Sequence, residues 1–312
     1  MARFAIRRAG RLLVSLWVVI SAAFAMIHLI PGDPVRAALG PTAPAELVAA
    51  RRTALGLDEP LWLQYLHYLK NLVTGDLGTS TLSGLPVAQV IGDRLPATGE
   101  LAVAAFVVAI AVSVPLGLAM AVATRNGRRR HAELAFTSTS AVLAALPEFL
   151  VAVGLVYVFA VSLGWAPVAG RSGPGSYLLP VAALALGPAA VLARIVRVET
   201  LAVLQADYIR TARAKRLPKR VIYLRHALPN ALTATITLGG LLLSGLVAGT
   251  VLVENVFAWP GLGSTIVSSI LEKDYPVVQG IVLVYGVGVL LVNLGVDTAL
   301  AVLDPRSTIR ES

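Results

Sequence analysis

The residues best suited to chemistry form one strongly basic stretch in an otherwise apolar sequence. Between Arg210 and Arg225 there are seven Lys or Arg residues and no acid, and long apolar runs flank the stretch. A membrane protein that holds so much positive charge in one loop places that loop in the cytoplasm. The loop is rich in helix-forming residues. We therefore predict a short helix near residues 205–217 that offers charge pairing to a cytoplasmic partner.

Catalytic chemistry finds little support elsewhere in the sequence. There is no Gly-x4-Gly-Lys-Ser/Thr phosphate loop, so the chain is not expected to bind ATP itself. The four histidines, His28, His67, His131 and His226, form neither a His-Glu-x-x-His motif nor a close pair. The absence of cysteine excludes disulfides, thiolate metal sites and Cys nucleophiles. We predict that the chain is not an enzyme and holds no cofactor or metal.

Three polar side chains fall within apolar runs: Glu148, beside Pro147, and the pair Asn293 and Asp297. A charge within a bilayer is costly and usually faces a pore or another polar group. Asn293 and Asp297 lie one helical turn apart and share a face. Lining a transport path and bracing a helix contact both explain these residues. Bracing is favoured for the pair, because Asp297 lies near the predicted cytoplasmic end of its span.

The composition indicates a polytopic membrane protein. Hydrophobic residues make up 57% of the chain and charged residues only 14%, whereas a soluble protein carries about a quarter charged residues. The net charge of +9 would suggest nucleic-acid binding in a soluble chain, but here the loops carry it. Six runs are long enough to cross the bilayer as helices, near residues 10–30, 99–124, 134–163, 177–198, 229–253 and 276–302.

The basic residues predict the orientation, because cytoplasmic loops carry an excess of Lys and Arg. Both termini are expected in the cytoplasm. The start of the chain also resembles a secretory signal around Ala23–Ala25, but its apolar run continues to Ile30 and five more spans follow, so we expect a retained first helix. The predicted parts are the N-terminus with the first helix (1–30), an extracellular helical insertion (31–98), a transmembrane domain (99–302) containing the basic loop (199–230), and a cytoplasmic tail (303–312).

The basic loop resembles the cytoplasmic loop of ABC importer permeases. The general pattern is Glu-Ala-Ala, three residues, Gly, nine residues, Ile-x-Leu-Pro, and the peptide-importer branch reads Asp-Tyr-x-Arg-Thr-Ala-Arg-Ala-Lys-Gly-Leu. The segment Asp207–Lys215 and Leu217 fit the branch pattern, whereas Arg216 replaces the family Gly. The resemblance implies that the residues of the ATPase-coupling loop are Asp207, Tyr208, Ile209, Arg210, Thr211, Ala212, Arg213, Ala214, Lys215, Arg216, Leu217, His226 and Pro229.

Further segments make the whole chain similar to the B-type permease subunit of dipeptide/oligopeptide (peptide/nickel-type) ABC importers. They occur in the family's order on a chain with six predicted spans, and the long segment after the first span is the B-type form. The segments are Leu29–Pro34, Leu55–Leu61, Gly75–Gly78, Arg94–Thr98, Val253–Gly263, Asp274–Gly280 and Leu303–Arg306.

The resemblance implies an all-α type I permease fold in the bacterial cytoplasmic (inner) membrane. The implied partners are a C-type permease in a heterodimer, two cytoplasmic ATP-binding subunits or domains that hold ATP and Mg, an extracytoplasmic substrate-binding protein, and membrane lipid, but no nucleic acid. The binding protein is expected to contact Glu254, Asn255 and Trp259. The expected cargo is di- or oligopeptides. Haem, a nickel chelate and glutathione are alternatives within the class, and an ion-coupled secondary transporter is the alternative outside it.

The sequence also predicts how the coupling helix works. The small side chain of Ala212 is expected to enter a groove on the ATPase, and Tyr208 and Ile209 to supply apolar contact. Pro218 is expected to end the helix, because proline lacks an N–H and clashes with the preceding turn. Arg213 and Lys215 are expected to contribute electrostatics at the rim of the contact.

Overall fold

The computed structural model describes residues 2–29, 34–40, 42–54 and 56–303, and it is built from helices. Within these ranges no strand forms, and Thr79 and Pro86 make an isolated bridge. The helices are α1 Ala2–Leu29, α2 Pro34–Leu39, α3 Ala45–Ala54, α4 Leu61–Val73, α5 Val87–Thr124, α6 Arg130–Ala145, α7 Glu148–Leu155, α8 Leu178–Val203, α9 Asp207–Ala214, α10 Lys219–Val221, α11 Leu228–Val256, α12 Leu262–Leu271 and α13 Tyr275–Leu303. π-helical turns continue α7 over Val156–Ser162 and α10 over Ile222–Ala227.

Five helical segments of the described chain are long and apolar enough to cross a membrane: Gly10–His28, Val87–Gly127, Pro174–Val203, Leu238–Val256 and Tyr275–Val296. A sixth crossing is available if α6 and α7 count as one broken span. The prediction of an all-α polytopic membrane protein is therefore confirmed. The motif residues 30–33, 55 and 304–306 lie outside the described residues.

The third expected span, 134–163, is not one continuous helix. It bends by 99° between α6 and α7. Leu146 has an extended backbone (ψ 126°) because the ring of Pro147 disfavours the helical conformation in the residue before it. The helix then restarts at Glu148.

The chain divides into two compact units. The first comprises Met1–Thr98 and Pro260–Leu290. Its core cluster joins Val87 and Ile91 of α5 with Leu262 of α12 and Val277 and Ile281 of α13.

Within the first unit, Asp274 of one sequence motif contacts the loop that follows another. Asp274 is buried, and its carboxylate accepts hydrogen bonds from the Ser80 hydroxyl and from both the amide and the hydroxyl of Thr81. The loop after Gly75–Gly78 is thereby fixed to the start of α13. A second contact caps α12, because the Thr98 hydroxyl accepts the Leu262 N–H at 2.8 Å. Sequence reasoning missed α12, whose ten residues are too short to stand out as a span.

The second unit, Gly99–Trp259 with Leu291–Ser312, is organised around α8. In the most apolar part of the span Pro174–Val203, which contains α8, 67% of the residues are buried. Helix α5 approaches it closely at Gly117, where a Cβ would lie 2.5 Å from the Ala193 carbonyl. Arg197 of α8 is buried, and its guanidinium pairs with Glu133 of α6 and donates to the Thr124 hydroxyl at the end of α5. Three helices are therefore tied together at this end of the unit.

Candidate coupling site

The short helix predicted near residues 205–217 forms as α9, Asp207–Ala214. Its buried side is made by Ile209, which is fully buried, and Ala212, which is 6% exposed. These side chains pack with Leu204, Ile222 and Ala227 in a cluster formed entirely by this chain. The helix is therefore seated on its own unit without any partner.

This seating corrects the expected roles of Ala212 and Ile209. Neither can be the small or apolar contact offered to another protein, because both lie inside the chain's own core. The exposed side of α9 carries other residues, which are Asp207, Tyr208, Arg210, Thr211 and Ala214, followed by Lys215. Ala214 is the exposed alanine, so the small residue on the outward face is two positions later than expected.

Arg213 is also more than a rim charge. Its Nη2 donates to the Leu204 carbonyl at 3.0 Å, and Leu204 is the C-cap of α8. Carbonyls at a helix C-terminus lack intrahelical partners and favour a cation. Arg213 therefore anchors α9 to the end of α8, whereas Lys215 is exposed as expected.

The turn after α9 explains how the chain tolerates Arg216 in place of glycine. Arg216 has a φ of 56°, in the left-handed region. The Leu217 N–H bonds the Ala212 carbonyl at 3.3 Å and the Arg216 N–H bonds the Arg213 carbonyl at 2.9 Å. This is the Schellman pattern that usually places glycine at the left-handed position. The helix ends here, so Pro218 is not what stops it. Pro218 instead precedes α10 as its N-cap.

The remaining coupling-loop residues lie in the connection to α11. His226 is half-buried in the π-helical turns, and its carbonyl accepts the Asn230 side chain at 2.9 Å. Pro229 is exposed in the first turn of α11, where a missing N–H carries no penalty. On α9, partial burial raises the pKa of Tyr208, because a phenolate loses hydration there.

Glu148 begins α7 directly after the bend and contacts Gly249 of α11. A Cβ on residue 249 would overlap the Glu148 carboxylate. Glycine at this position therefore allows the acid to approach the α11 backbone. No hydrogen bond or ion pair to Glu148 forms among the described residues, so the path-lining interpretation of this acid stays a prediction.

Asn293 forms a hydrogen bond between two helices. Its Oδ1 accepts the Ser244 hydroxyl at 2.9 Å, which joins α13 to α11 in the second unit. Asp297 lies one turn further along α13, but its side chain lies outside the described residues.

The expected binding-protein contacts need correction. Glu254 and Trp259 are fully buried, so neither is a surface residue in this structure. The chain folds back after α11 with Ala258 left-handed at φ 45°, which turns the Trp259 ring inward. Asn255 is exposed, and its side-chain amide donates to the Val251 carbonyl.

A polar cluster beside Trp259 was missed by sequence reasoning. Arg171 donates to the Tyr177 hydroxyl at 2.9 Å and pairs with Glu100, and Tyr177 donates to Glu100 at 2.7 Å. The Tyr177 ring packs edge-on against Trp259, with centroids 4.7 Å apart. These bonds raise the pKa of Arg171, with the Tyr177 contact the larger cause. A sequence signal existed, because Glu100 and Arg171 each border a long uncharged run.

Comparisons with known proteins find matches over nearly the whole chain. A family model described as "Binding-protein-dependent transport system inner membrane component" matches residues 113–309, and its N-terminal counterpart matches residues 1–102. The glutathione transport system permease protein GsiC of Escherichia coli (strain K12) is 37% identical over 305 residues, covering 98% of both chains. The protein of that name from Salmonella choleraesuis (strain SC-B67) is 36% identical over 305 residues.

A solved structure agrees at the level of the fold. A chain of the MetNI methionine ABC transporter, in an inward-facing conformation, matches with a TM-score of 0.59 at 18% identity. The match covers 70% of this chain and 97% of that chain.

Proposed function

Because the chain belongs to the family of binding-protein-dependent transport system inner membrane components, we propose that it is the B-type permease of an ATP-driven importer of small peptides. The observation that carries the proposal is α9, a basic helix that is seated on its own unit and exposes a charged face. That helix lies where the family's coupling motif falls. The chain forms half of a translocation pathway in the cytoplasmic membrane, with both termini inside.

The exposed side of α9 supports an ATPase as the partner. Arg210, Lys215 and Arg216 are exposed there, and Arg210 is only weakly neutralised by Asp207, with 3.2 Å between Nη1 and Oδ1 and both side chains exposed. Charges on an exposed rim guide association and register more than they add affinity. The partner ATPase subunits bind ATP and Mg, and α9 transmits their opening and closing.

Small peptides are the cargo that the relatives favour. GsiC is named for glutathione transport, which favours the glutathione alternative raised from the sequence. Glutathione is itself a tripeptide, so the proposed cargo of small peptides includes it. Haem and nickel chelates are the competing cargoes of the same importer class. The extracytoplasmic binding protein selects the cargo, and a C-type permease completes the pathway as a heterodimer.

Uptake into proteoliposomes tests this function. The chain is reconstituted with its C-type permease, ATPase and binding protein, and labelled dipeptide or glutathione is supplied on the binding-protein side. We expect uptake that requires ATP and is competed by unlabelled peptides. Uptake driven by an ion gradient without ATP would place the protein among secondary transporters. ATP-driven uptake of only nickel or haem would refute the peptide assignment.

A pair of alanines separates coupling from folding. Ala214→Asp places a charge on the exposed face of α9, so we expect normal assembly but loss of ATPase stimulation by the loaded binding protein. A buried uncompensated charge typically costs several kcal/mol. Ala212→Asp places that charge inside the cluster around Leu204, so we expect α9 itself to become susceptible to proteolysis.

The control for this pair is Ala214→Ser, which keeps the size and neutrality of the outward face and should leave coupling normal. Normal stimulation in Ala214→Asp, with the ATPase still bound, would show that this face of α9 does not meet the ATPase.

A further inference from the structure

Helix α4 has one side that packs on the end of α1. The Tyr65 and Ser21 hydroxyls are hydrogen-bonded at 2.7 Å, and Gln64 Oε1 lies 3.2 Å from His28 Nε2. The Phe24 ring lies between them, with its centroid 5.1 Å from that of Tyr65 and 5.6 Å from that of Tyr68. Burial, with a smaller effect of Tyr65, raises the pKa of Tyr68 to about 12. Helix α4 is thus fixed along the last two turns of α1.

These contacts set the depth of α4 relative to a membrane span. The span in α1 runs over Gly10–His28, and Ser21 lies seven residues before its end. At 1.5 Å per residue, Ser21 is about 10 Å inside that end. The Tyr65 hydroxyl reaches this depth, so α4 lies alongside the last turns of the α1 span rather than beyond its end.

A second side of α4 is apolar and exposed. Trp62, Leu66 and Val73 are 65%, 51% and 89% exposed, and Leu69 between them is half-buried. Their spacing of i, i+4, i+7 and i+11 places all four on one narrow stripe.

A third side of α4 is polar. His67, Lys70 and Asn71 are exposed, and at 100° per residue they lie about 70° to 170° around the helix from the centre of the apolar stripe, with Asn71 the farthest from it. Helix α4 therefore presents a protein-facing side, an apolar side and a polar side in turn around its axis.

We propose that α4 is an interfacial helix, with the Trp62–Leu66–Leu69–Val73 stripe buried in the lipid of the leaflet reached by the Leu29 end of α1. Helices that lie in the membrane interface combine an apolar face, inserted about 5–10 Å, with a polar face turned to water. Trp is enriched at that level. Lipid is the occupant that the position favours, because α1 also exposes Trp17 and Val18 within the same span.

The consequence concerns the segment between the first two spans. Helix α4 anchors that segment to the bilayer surface, so its stripe is not a docking surface for a soluble protein. The inference is independent of the cargo and of the coupling mechanism proposed above.

The absence of cysteine makes the test direct, because single cysteines need no background substitutions. Leu66→Cys and, as the matched control on the polar flank, Asn71→Cys are labelled with a nitroxide in the full chain in lipid vesicles. Accessibility to oxygen, which partitions into lipid, is compared with accessibility to a water-soluble nickel chelate. We expect the oxygen-to-nickel ratio to be several-fold higher at residue 66 than at residue 71.

Two results would overturn the proposal. Equal ratios at residues 66 and 71 would place the stripe in water. Shielding of residue 66 from both reagents in the assembled importer would show that a protein partner covers it. Val73→Cys, at the most exposed position of the stripe, repeats the measurement and guards against a local effect of the first label.

Discussion

At the scale of single residues, the contact between Glu148 and Gly249 connects the bend in the third span to α11. A carboxylate in a membrane span is expensive unless it faces a polar group or a pore. The Glu148 carboxylate lies in the first turn of α7, where the helix dipole favours a negative charge. The absence of a side chain at residue 249 is what lets the acid lie there.

Gly249→Ala should therefore displace Glu148 and destabilise the second unit. Overpacking of this kind typically costs about 1–3 kcal/mol, and thermal unfolding in lipid nanodiscs measures it. The matched control is Gly245→Ala, one turn earlier on α11, where a Cβ meets nothing within 4 Å. That control should be neutral or stabilising, because alanine favours a helix over glycine by about 1 kcal/mol. Equal unfolding temperatures for the two variants would contradict the close contact.

At the scale of elements, three helices end in the same way with a residue other than glycine. Arg216, Ala258 and Lys273 all have positive φ values at the ends of α9, α11 and α12. In each helix, the backbone N–H of the residue after the left-handed one donates to the backbone carbonyl five residues earlier. The accepting carbonyls are those of Ala212, Glu254 and Ser269 respectively. The hydrogen bonds and the packing of the following residue hold a conformation that side chains disfavour.

Arg216→Gly should relieve this strain in the coupling loop. The left-handed conformation costs a residue with a Cβ roughly 1–2 kcal/mol, so the amides of residues 216 and 217 should exchange hydrogen more slowly in the variant. Lys215→Gly is the control, because Lys215 has a φ of −71° and gains nothing from glycine. Faster exchange in Arg216→Gly would mean that the arginine side chain stabilises the turn by contacts of its own.

At the scale of the whole molecule, the predicted orientation places α4 and α9 on opposite sides of the membrane. Lys70 and Lys215 are both exposed, so single cysteines at these positions should not disturb the fold. In intact cells a membrane-impermeant thiol reagent should label Lys70→Cys directly and Lys215→Cys only after lysis. Labelling of both from the same side would overturn the orientation.

The sequence alone determined the fold class, the spans other than the broken third one, and the place of the short helix α9. Hydropathy is a property of each segment by itself, so it can be read from the sequence without knowing the tertiary contacts. The helices α8, α11 and α13 accordingly lie within a few residues of their predicted bounds. The segment 31–98, predicted to be helical, contains the helices Ala45–Ala54 and Leu61–Val73. Hydropathy does not show where a helix extends beyond its apolar part. Helix α5 begins at Val87, 12 residues before the predicted span, because its charged first turns belong to the same helix as the span.

Only the tertiary structure decided which faces of these helices are buried. Ala212 and Ala214 are the same residue type two positions apart on one helix. Contacts with Leu204 and Ile222 bury Ala212, whereas Ala214 is exposed. Trp259 is buried because the chain reverses after α11, and Asp274 because the loop at Ser80, far away in sequence, folds onto it. Burial is a property of contacts between distant segments, and a local pattern carries no information about which segments will meet.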